Sequence, residues 1–301
     1  MSLAGLWWRA NRRLLFVFAV VIVLTSIAGL VRAATVTCDP GMTASQCAYF
    51  RDSDGPSRYL TFILAVVPIL LGLVLGIEAI GGELDGGTAS FAWSVAPSRR
   101  RWLAEQLVPG LLASVAVGLV CGAVNAVIVA ALHPGHYLPS SFLGYGLWGP
   151  ILIVRGLAGY AIGLLLGLAL GRVIAAVALG IVVVAIVVPA ALIVGRSFEP
   201  ARIVAATDPS EADALPVAGG YVGPNGEMSS SFTFTAPEPT FTNDPNNDKR
   251  NAWELGHTAT WQSYLTGPQM PGVELRETTV LGLIAFASVG GAFALVANRR
   301  P

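Results

Sequence analysis

Six long apolar stretches, separated by polar segments, dominate the pattern of this chain. A helix that crosses a bilayer needs about 20 apolar residues, and each stretch reaches or approaches that length. They are residues 14–31, 59–77, 107–132, 151–170, 173–194 and 278–297. The fifth is rich in Val and Ile, but an open strand would leave its backbone unsatisfied in hydrocarbon, so helix is favoured. The pattern predicts an all-α integral membrane protein with six transmembrane helices.

Two polar segments are longer than a turn between helices requires. Residues 78–102 join the second and third spans, and residues 195–277 join the fifth and sixth. In the latter, residues 231–235 alternate polar and aromatic side chains, as a strand does. About 80 residues are marginal for a domain that folds alone. Two interpretations of residues 195–277 therefore stay open: a small irregular or partly β cap, and a mobile loop packed on the helix ends.

The chain thus divides into three parts. The first five helices and the 78–102 segment occupy residues 1–194, the cap or loop occupies residues 195–277, and the last helix with its tail occupies residues 278–301.

The placement of arginine predicts the orientation of the helices, because short cytoplasmic loops collect Lys and Arg. One arrangement puts nine arginines of short segments on a single side. These are Arg9, Arg12, Arg13, Arg99, Arg100, Arg101, Arg172, Arg299 and Arg300. The opposite short loops hold Arg32, Arg51 and Arg58, offset by three aspartates, with Arg155 near the same edge. We therefore expect both termini in the cytoplasm and residues 195–277 outside the cell.

Cys38 and Cys47 lie in the loop after the first span, which this orientation places outside. Paired loop cysteines in a non-cytoplasmic compartment are typical of a disulfide. Two unpaired thiols are the alternative. Cys121 lies in an apolar stretch, where we expect a small core residue.

The 78–102 segment contains several local signals. Gly86 and Gly87 interrupt the extension of the second span, and Thr88 can cap a short helix over residues 89–95. Pro97 ends that helix, and Ser98 can cap the next. The short helix would expose Phe91, Trp93 and Val95. Exposed aromatic residues indicate either a protein contact or the membrane interface, and the residues alone do not decide between them.

Composition narrows the function classes. Of the residues 54% are hydrophobic and 12% are charged, which is typical of a protein embedded in membrane lipid. The net charge is zero, so the sequence gives no sign of a nucleic-acid partner. Lys249 is the only lysine and does not lie in a phosphate-binding loop, so this chain is not expected to hydrolyse ATP. We find no HExxH or GxSxG motif and no metal-ligand spacing among the three histidines, so no enzyme activity, metal or cofactor is expected in this chain.

Two polar residues inside or beside the spans are candidates for a transport pathway. Asn125 is central in the third span, and Arg155 lies near the start of the fourth. Intramembrane polar groups often mark function. Each has a structural alternative: Asn125 can bond a neighbouring helix, and Arg155 can reach the interface or pair with the outer segment.

The 78–102 segment resembles the type-2 ABC transporter permeases. That family has a Glu-x-x-x-Gly-Thr step, an apolar stretch, and a Pro-x-Ser/Thr-Arg-like element before the third span. Residues 83–88, ELDGGT, and residues 96–103, APSRRRWL, are similar to these elements. The six-span plan with a larger loop before the last span is also similar. The pattern departs at Gln106, where the family often has a lysine, and in the length of the outer loop.

The resemblance implies a coupling helix that contacts a separate ABC ATPase subunit, present in two copies and carrying ATP and Mg²⁺. A second permease copy or paralogue would complete the pathway. The coupling residues implied are Glu83, Asp85, Gly87, Thr88, Phe91, Trp93, Pro97, Arg99 and Arg101. The expected location is a bacterial cell membrane.

The expected function is therefore that of a permease subunit of an ATP-driven exporter for a hydrophobic or amphipathic molecule, such as a drug, antibiotic, peptide or lipid. A secondary transporter driven by an ion gradient is an alternative, but the spans lack acidic residues except near their ends. A multi-span membrane sensor with a ligand-binding outer cap is the other.

Overall fold

Six long helices make up most of the described structure, a computed structural model. It describes residues 3–36, 55–88, 98–133, 142, 144–205, 215–222, 228–229 and 260–298. The helices are α1 (Leu3–Thr35), α2 (Gly55–Asp85), α3 (Arg99–Leu132), α4 (Ile151–Leu170), α5 (Val173–Ser197) and α6 (Met270–Asn298). Each is long and apolar enough to cross a membrane. The six predicted helices are confirmed, whereas the side of the membrane on which the termini lie stays a prediction.

Four helices extend well beyond their apolar stretches. α1 begins at Leu3 instead of residue 14, and α2 continues past residue 77 to Asp85. α3 begins at Arg99 instead of residue 107, and α6 begins at Met270 instead of residue 278. Helical backbone bonds do not require apolar side chains, so a helix continues where its polar residues leave the hydrocarbon core. As a result, several charged residues at the predicted loop boundaries lie inside helices.

α4 and α5 form the tight hairpin that the sequence predicts. Gly171 adopts the left-handed conformation with φ of 60°, and its N–H donates to the Gly167 carbonyl over 3.0 Å. Glycine takes this conformation without the steric penalty of a β-carbon. Arg172 is therefore the only residue between this helix cap and the start of α5.

The core of the helical unit is the contact between α2 and α4, whose backbones approach closely between residues 68–81 of α2 and residues 156–167 of α4. A methyl group at Gly76 would overlap the Tyr160 carbonyl oxygen, and one at Gly163 would overlap the Leu73 carbonyl oxygen. Small residues allow such close approach between membrane helices. We refer to these glycines as the glycine seam, whose members are Gly72, Gly76, Gly156, Gly159, Gly163 and Gly167.

A second compact unit includes Phe198–Gly272 and contains a four-stranded antiparallel sheet. The strands are β1 (Arg202–Ala205), β2 (Leu215–Val222), β3 (Met228–Ser229) and β4 (Thr260–Leu265), in the order β1-β4-β2-β3. Arg202 pairs with Tyr264, and Tyr221 pairs with both Thr260 and Ser229. The described part of residues 195–277 thus contains strands, and the choice between a cap and a mobile loop stays open. The strand predicted over residues 231–235 lies outside the described residues, and the extracellular position of the unit stays a prediction.

Candidate functional site

The end of α2 forms the first half of the predicted coupling segment. The Gly87 N–H donates to the Leu84 carbonyl over 3.2 Å, and the Thr88 N–H donates to the Glu83 carbonyl over 3.0 Å. This pair of bonds is the Schellman motif, which needs a left-handed residue just past the helix. Gly87 supplies it with φ of 68°. The Gly-Thr step of residues 83–88 is therefore the signal that ends α2.

Thr88 has a further bond that the sequence did not predict. Its hydroxyl donates to the Glu83 carbonyl oxygen over 3.3 Å, so both donors of Thr88 hold the same carbonyl. The short helix that Thr88 is expected to cap, over residues 89–95, lies outside the described residues.

The two carboxylates at the end of α2 have different surroundings. Asp85 is exposed, and its Oδ2 accepts a hydrogen bond from the Val173 backbone nitrogen over 3.4 Å. It thereby caps the first turn of α5, where backbone N–H groups have no partner inside the helix and favour negative charge. Glu83 is half-buried, and among the described residues its Oε2 has no hydrogen-bond partner.

The start of α3 forms the other end of the segment. The Ser98 hydroxyl oxygen accepts from the Arg101 backbone nitrogen over 3.2 Å, so the predicted cap is confirmed. Arg101 also pairs with Glu105 over 3.0 Å, with both side chains partly or largely exposed. An exposed pair of this kind stabilises a helix by about 0.3–0.5 kcal/mol. Arg99 lies in the first turn, but its side chain lies outside the described residues.

One apolar cluster holds both ends of the segment in place. Ile80 of α2 and Trp102 and Leu103 of α3 are buried against Leu168 of α4 and Val296 of α6. The cluster therefore connects four helices at the two ends of the segment. Phe91, Trp93 and Pro97 lie in residues 89–97, outside the described residues, and their role in coupling stays a prediction.

A buried ion pair lies at the opposite end of α4. The Arg155 Nη2 is 2.7 Å from Glu277 Oε1, and its Nε is 3.2 Å from the same oxygen. The Glu277 side chain is fully buried, and that of Arg155 is 11% exposed. Because breaking a buried pair leaves an uncompensated charge in a medium of low dielectric, this contact links α4 firmly to α6.

Tyr145 completes the coordination of Glu277. Its hydroxyl donates to Glu277 Oε2 over 2.9 Å. Burial raises the pKa of the Tyr145 phenol, and the negative charge and hydrogen bond of Glu277 raise it further. Tyr145 is therefore a neutral donor at physiological pH, and both oxygens of Glu277 are satisfied.

Arg155 and Asn125, the two pathway candidates, hold the same turn. Arg155 Nη1 donates to the Gly146 carbonyl, and Asn125 Nδ2 donates to the adjacent carbonyl of Leu147. Asn125 also donates to the Thr61 carbonyl of α2 over 3.0 Å. These bonds give both residues a packing role around the turn before α4. A role in a pathway stays a prediction.

Glu277 is the residue that sequence reasoning missed at this place, because it was assigned to the loop that ends at residue 277. The signal that identifies it is helical spacing: Val273, Glu277 and Leu281 lie four residues apart, and all three are fully buried. Glu277 lies in the early turns of α6, so it is close to one end of that span.

The remaining predictions concern a disulfide and the absence of a metal site. Cys38 and Cys47 lie outside the described residues, so the disulfide stays a prediction, while Cys121 is buried and free. Within the described residues no three His, Cys, Asp or Glu side chains converge to hold a metal ion.

Comparison with known proteins supplies the family. Residues 13–195 match the family described as ABC-2 membrane transporter related. The matched region is more than half of the chain and contains both the 78–102 segment and the glycine seam. No curated protein and no solved structure gave a significant match. Members of this family are transmembrane components and are not themselves catalytic. This multi-pass membrane protein belongs to the ABC-2 membrane transporter related family.

Proposed function

We propose that this chain is the permease subunit of an ATP-driven exporter and forms the passage for a hydrophobic or amphipathic substrate. A separate ABC ATPase, present in two copies, supplies the energy from ATP and Mg²⁺, and a second permease copy or paralogue completes the passage. The observation that carries the proposal is the family match over residues 13–195. It covers the whole polar segment between α2 and α3.

The geometry around that segment supports a coupling role. The Schellman motif at Gly87 and the cap at Ser98 define where the segment leaves α2 and enters α3. At these two ends, Ile80 and Trp102 bury apolar surface in one cluster with Leu168. Packed interiors transmit displacement because they have few voids. A movement of the segment by an ATPase would therefore reach α2, α3, α4 and α6 together.

The same proposal includes an orientation. With the termini and the 78–102 segment in the cytoplasm, the sheet unit lies outside a bacterial cell, and the loop of Cys38 and Cys47 can form a disulfide there. Reaction of single-cysteine variants with an impermeant maleimide on intact cells tests this orientation. Labelling of a cysteine at position 98 from outside would contradict it.

The coupling role is tested by affinity capture of the tagged full chain from its own membranes in mild detergent, followed by identification of bound ATPases. We expect Phe91→Ala/Trp93→Ala to weaken retention of an ABC ATPase by about tenfold or more, since buried aromatic residues dominate interfaces. Phe286→Ala is the matched control, because Phe286 is 80% exposed on α6. Capture of no ATPase, or equal loss with the control, would reject the role.

One observation favours the second candidate, a transporter driven by an ion gradient. Glu277 is a fully buried carboxylate paired with Arg155, and buried carboxylates serve as proton sites in such transporters. Substrate efflux distinguishes the two functions. Efflux that stops when ATP is depleted but continues with a protonophore supports the exporter, and the reverse result supports the ion-driven transporter.

A further inference from the structure

A long groove runs between α1, α2 and α3, with a volume of about 990 Å³. This is the upper end of the range of about 300–1,000 Å³ found for ligand sites. Leu71 of α2 is buried at its base, and Phe16 of α1 forms an exposed wall. Ala113 and Ala116 of α3 leave the space open because their side chains are small. The groove is thus an apolar channel on the surface of the helical unit.

The charge on the groove is confined to one end. Arg12 and Arg13 line it there, and both are exposed. Neither forms an ion pair with another of the described residues, whereas Arg101 and Arg155 each have a carboxylate partner. Two arginines on consecutive residues, neither paired with a described carboxylate, favour an anion, and a phosphate accepts paired N–H donors from arginine.

The length of the groove matches one leaflet. Arg12 and Ile22 line its two ends on α1, and ten residues of helix at 1.5 Å each span about 15 Å. The hydrocarbon core of a bilayer is about 30 Å thick. The apolar part therefore reaches from the membrane surface to about the middle of the bilayer, which is the depth of a single acyl chain.

We propose that this groove binds an anionic phospholipid from the leaflet on the side of the N-terminus. The phosphate of the headgroup contacts Arg12 and Arg13, and one acyl chain lies along Phe16 and Ala116 over Leu71. A neutral lipid fills the apolar part equally well but leaves the net charge of the two arginines unmatched. The site is independent of the proposed export function, since it needs only a membrane around α1.

Native mass spectrometry of the purified full chain tests the site with two probes, phosphatidylglycerol and phosphatidylcholine of identical acyl chains. We expect the wild type to bind one phosphatidylglycerol molecule about tenfold more tightly than phosphatidylcholine. Arg12→Gln/Arg13→Gln is expected to remove this preference. Ala116→Leu, which narrows the groove while keeping both arginines, is expected to lower the affinity for both lipids.

The matched control is Arg101→Gln/Arg172→Gln, which removes two positive charges at the same predicted membrane face but away from the groove. It should keep the preference for phosphatidylglycerol. An equal loss of preference in the two double variants would overturn the proposal, because the lipid would then respond to total charge. The proposal is also overturned if Ala116→Leu leaves lipid binding unchanged and instead shifts the chain from dimer to monomer, since a second copy would then occupy the groove.

Discussion

Asp85 at the end of α2 accepts a hydrogen bond from the backbone nitrogen of Val173 at the start of α5, with oxygen and nitrogen 3.4 Å apart. These residues are 88 positions apart in the sequence. The bond attaches the predicted coupling segment to the hairpin between α4 and α5. A single exposed carboxylate thus connects the end of α2 to the start of α5.

Replacing Asp85 tests this contact. Asp85→Ala removes the acceptor at the N-terminus of α5 and is expected to lower the free energy of unfolding by about 0.5–2 kcal/mol, as for other helix caps. Asp85→Asn keeps an acceptor oxygen and should retain most of it. Hydrogen exchange at residues 173–176 is the local measurement. Equal exchange in the Ala variant and the wild type would show that the bond does not hold α5.

The glycine seam makes a prediction about steric space. A β-carbon at Gly163 would overlap the Leu73 carbonyl oxygen, so Gly163→Ala is expected to destabilise the protein by about 1–3 kcal/mol through forced separation of α2 and α4. Gly282→Ala is the control, because a β-carbon there meets no atom within 4 Å. It should be neutral or slightly stabilising, since alanine is the better helix former. Thermal unfolding in detergent followed by circular dichroism distinguishes the two variants.

The buried ion pair predicts a large cost for removing one partner. Glu277→Gln leaves Arg155 without its counter-charge and is expected to cost about 3–5 kcal/mol. Arg155→Met/Glu277→Gln should recover a substantial part of that stability, because no unpaired charge is then buried. The exposed pair of Arg101 and Glu105 provides the comparison, and Glu105→Gln should cost about 0.5 kcal/mol or less. Additive losses in the double variant would contradict a direct Arg155–Glu277 coupling.

The hydroxyl of Tyr145 predicts a dependence on alkaline pH. Burial and Glu277 raise its folded-state pKa above the ordinary value of 10.0. A raised folded-state pKa contributes stability that is fully present below pH 10 and is lost as pH rises towards the folded pKa. The difference in unfolding free energy between the wild type and Tyr145→Phe should therefore be constant below about pH 9 and shrink above pH 10. A difference that grows with pH would contradict this assignment.

The helices and their local signals were predictable because each depends on near neighbours in the sequence. Apolar length identified all six helices, and Ser98 functions as the predicted cap. Glu277 was missed because hydropathy ends a span at a charged residue. Glu277 lies four residues from both Val273 and Leu281, and this spacing identifies the buried face of α6.

The contacts between helices were much less predictable. The spacing of Gly159, Gly163 and Gly167 is visible in the sequence, but the partner helix is not, because lipid is as apolar as the side chains and does not select among neighbours. The bond from Asn125 to Thr61 was unpredictable for a similar reason, since an amide in the middle of a span can reach any adjacent helix. The groove at Arg12 depends on the arrangement of three helices and on no single pattern.

The glycine seam has a consequence for motion during transport. The backbones of α2 and α4 contact each other at the glycine seam and leave no space for a side chain between them. We therefore expect the two helices to move together. An opening for a substrate is then expected where this pair meets α1, α3, α5, α6 or another subunit, and distance measurements by spin labelling across those boundaries test this.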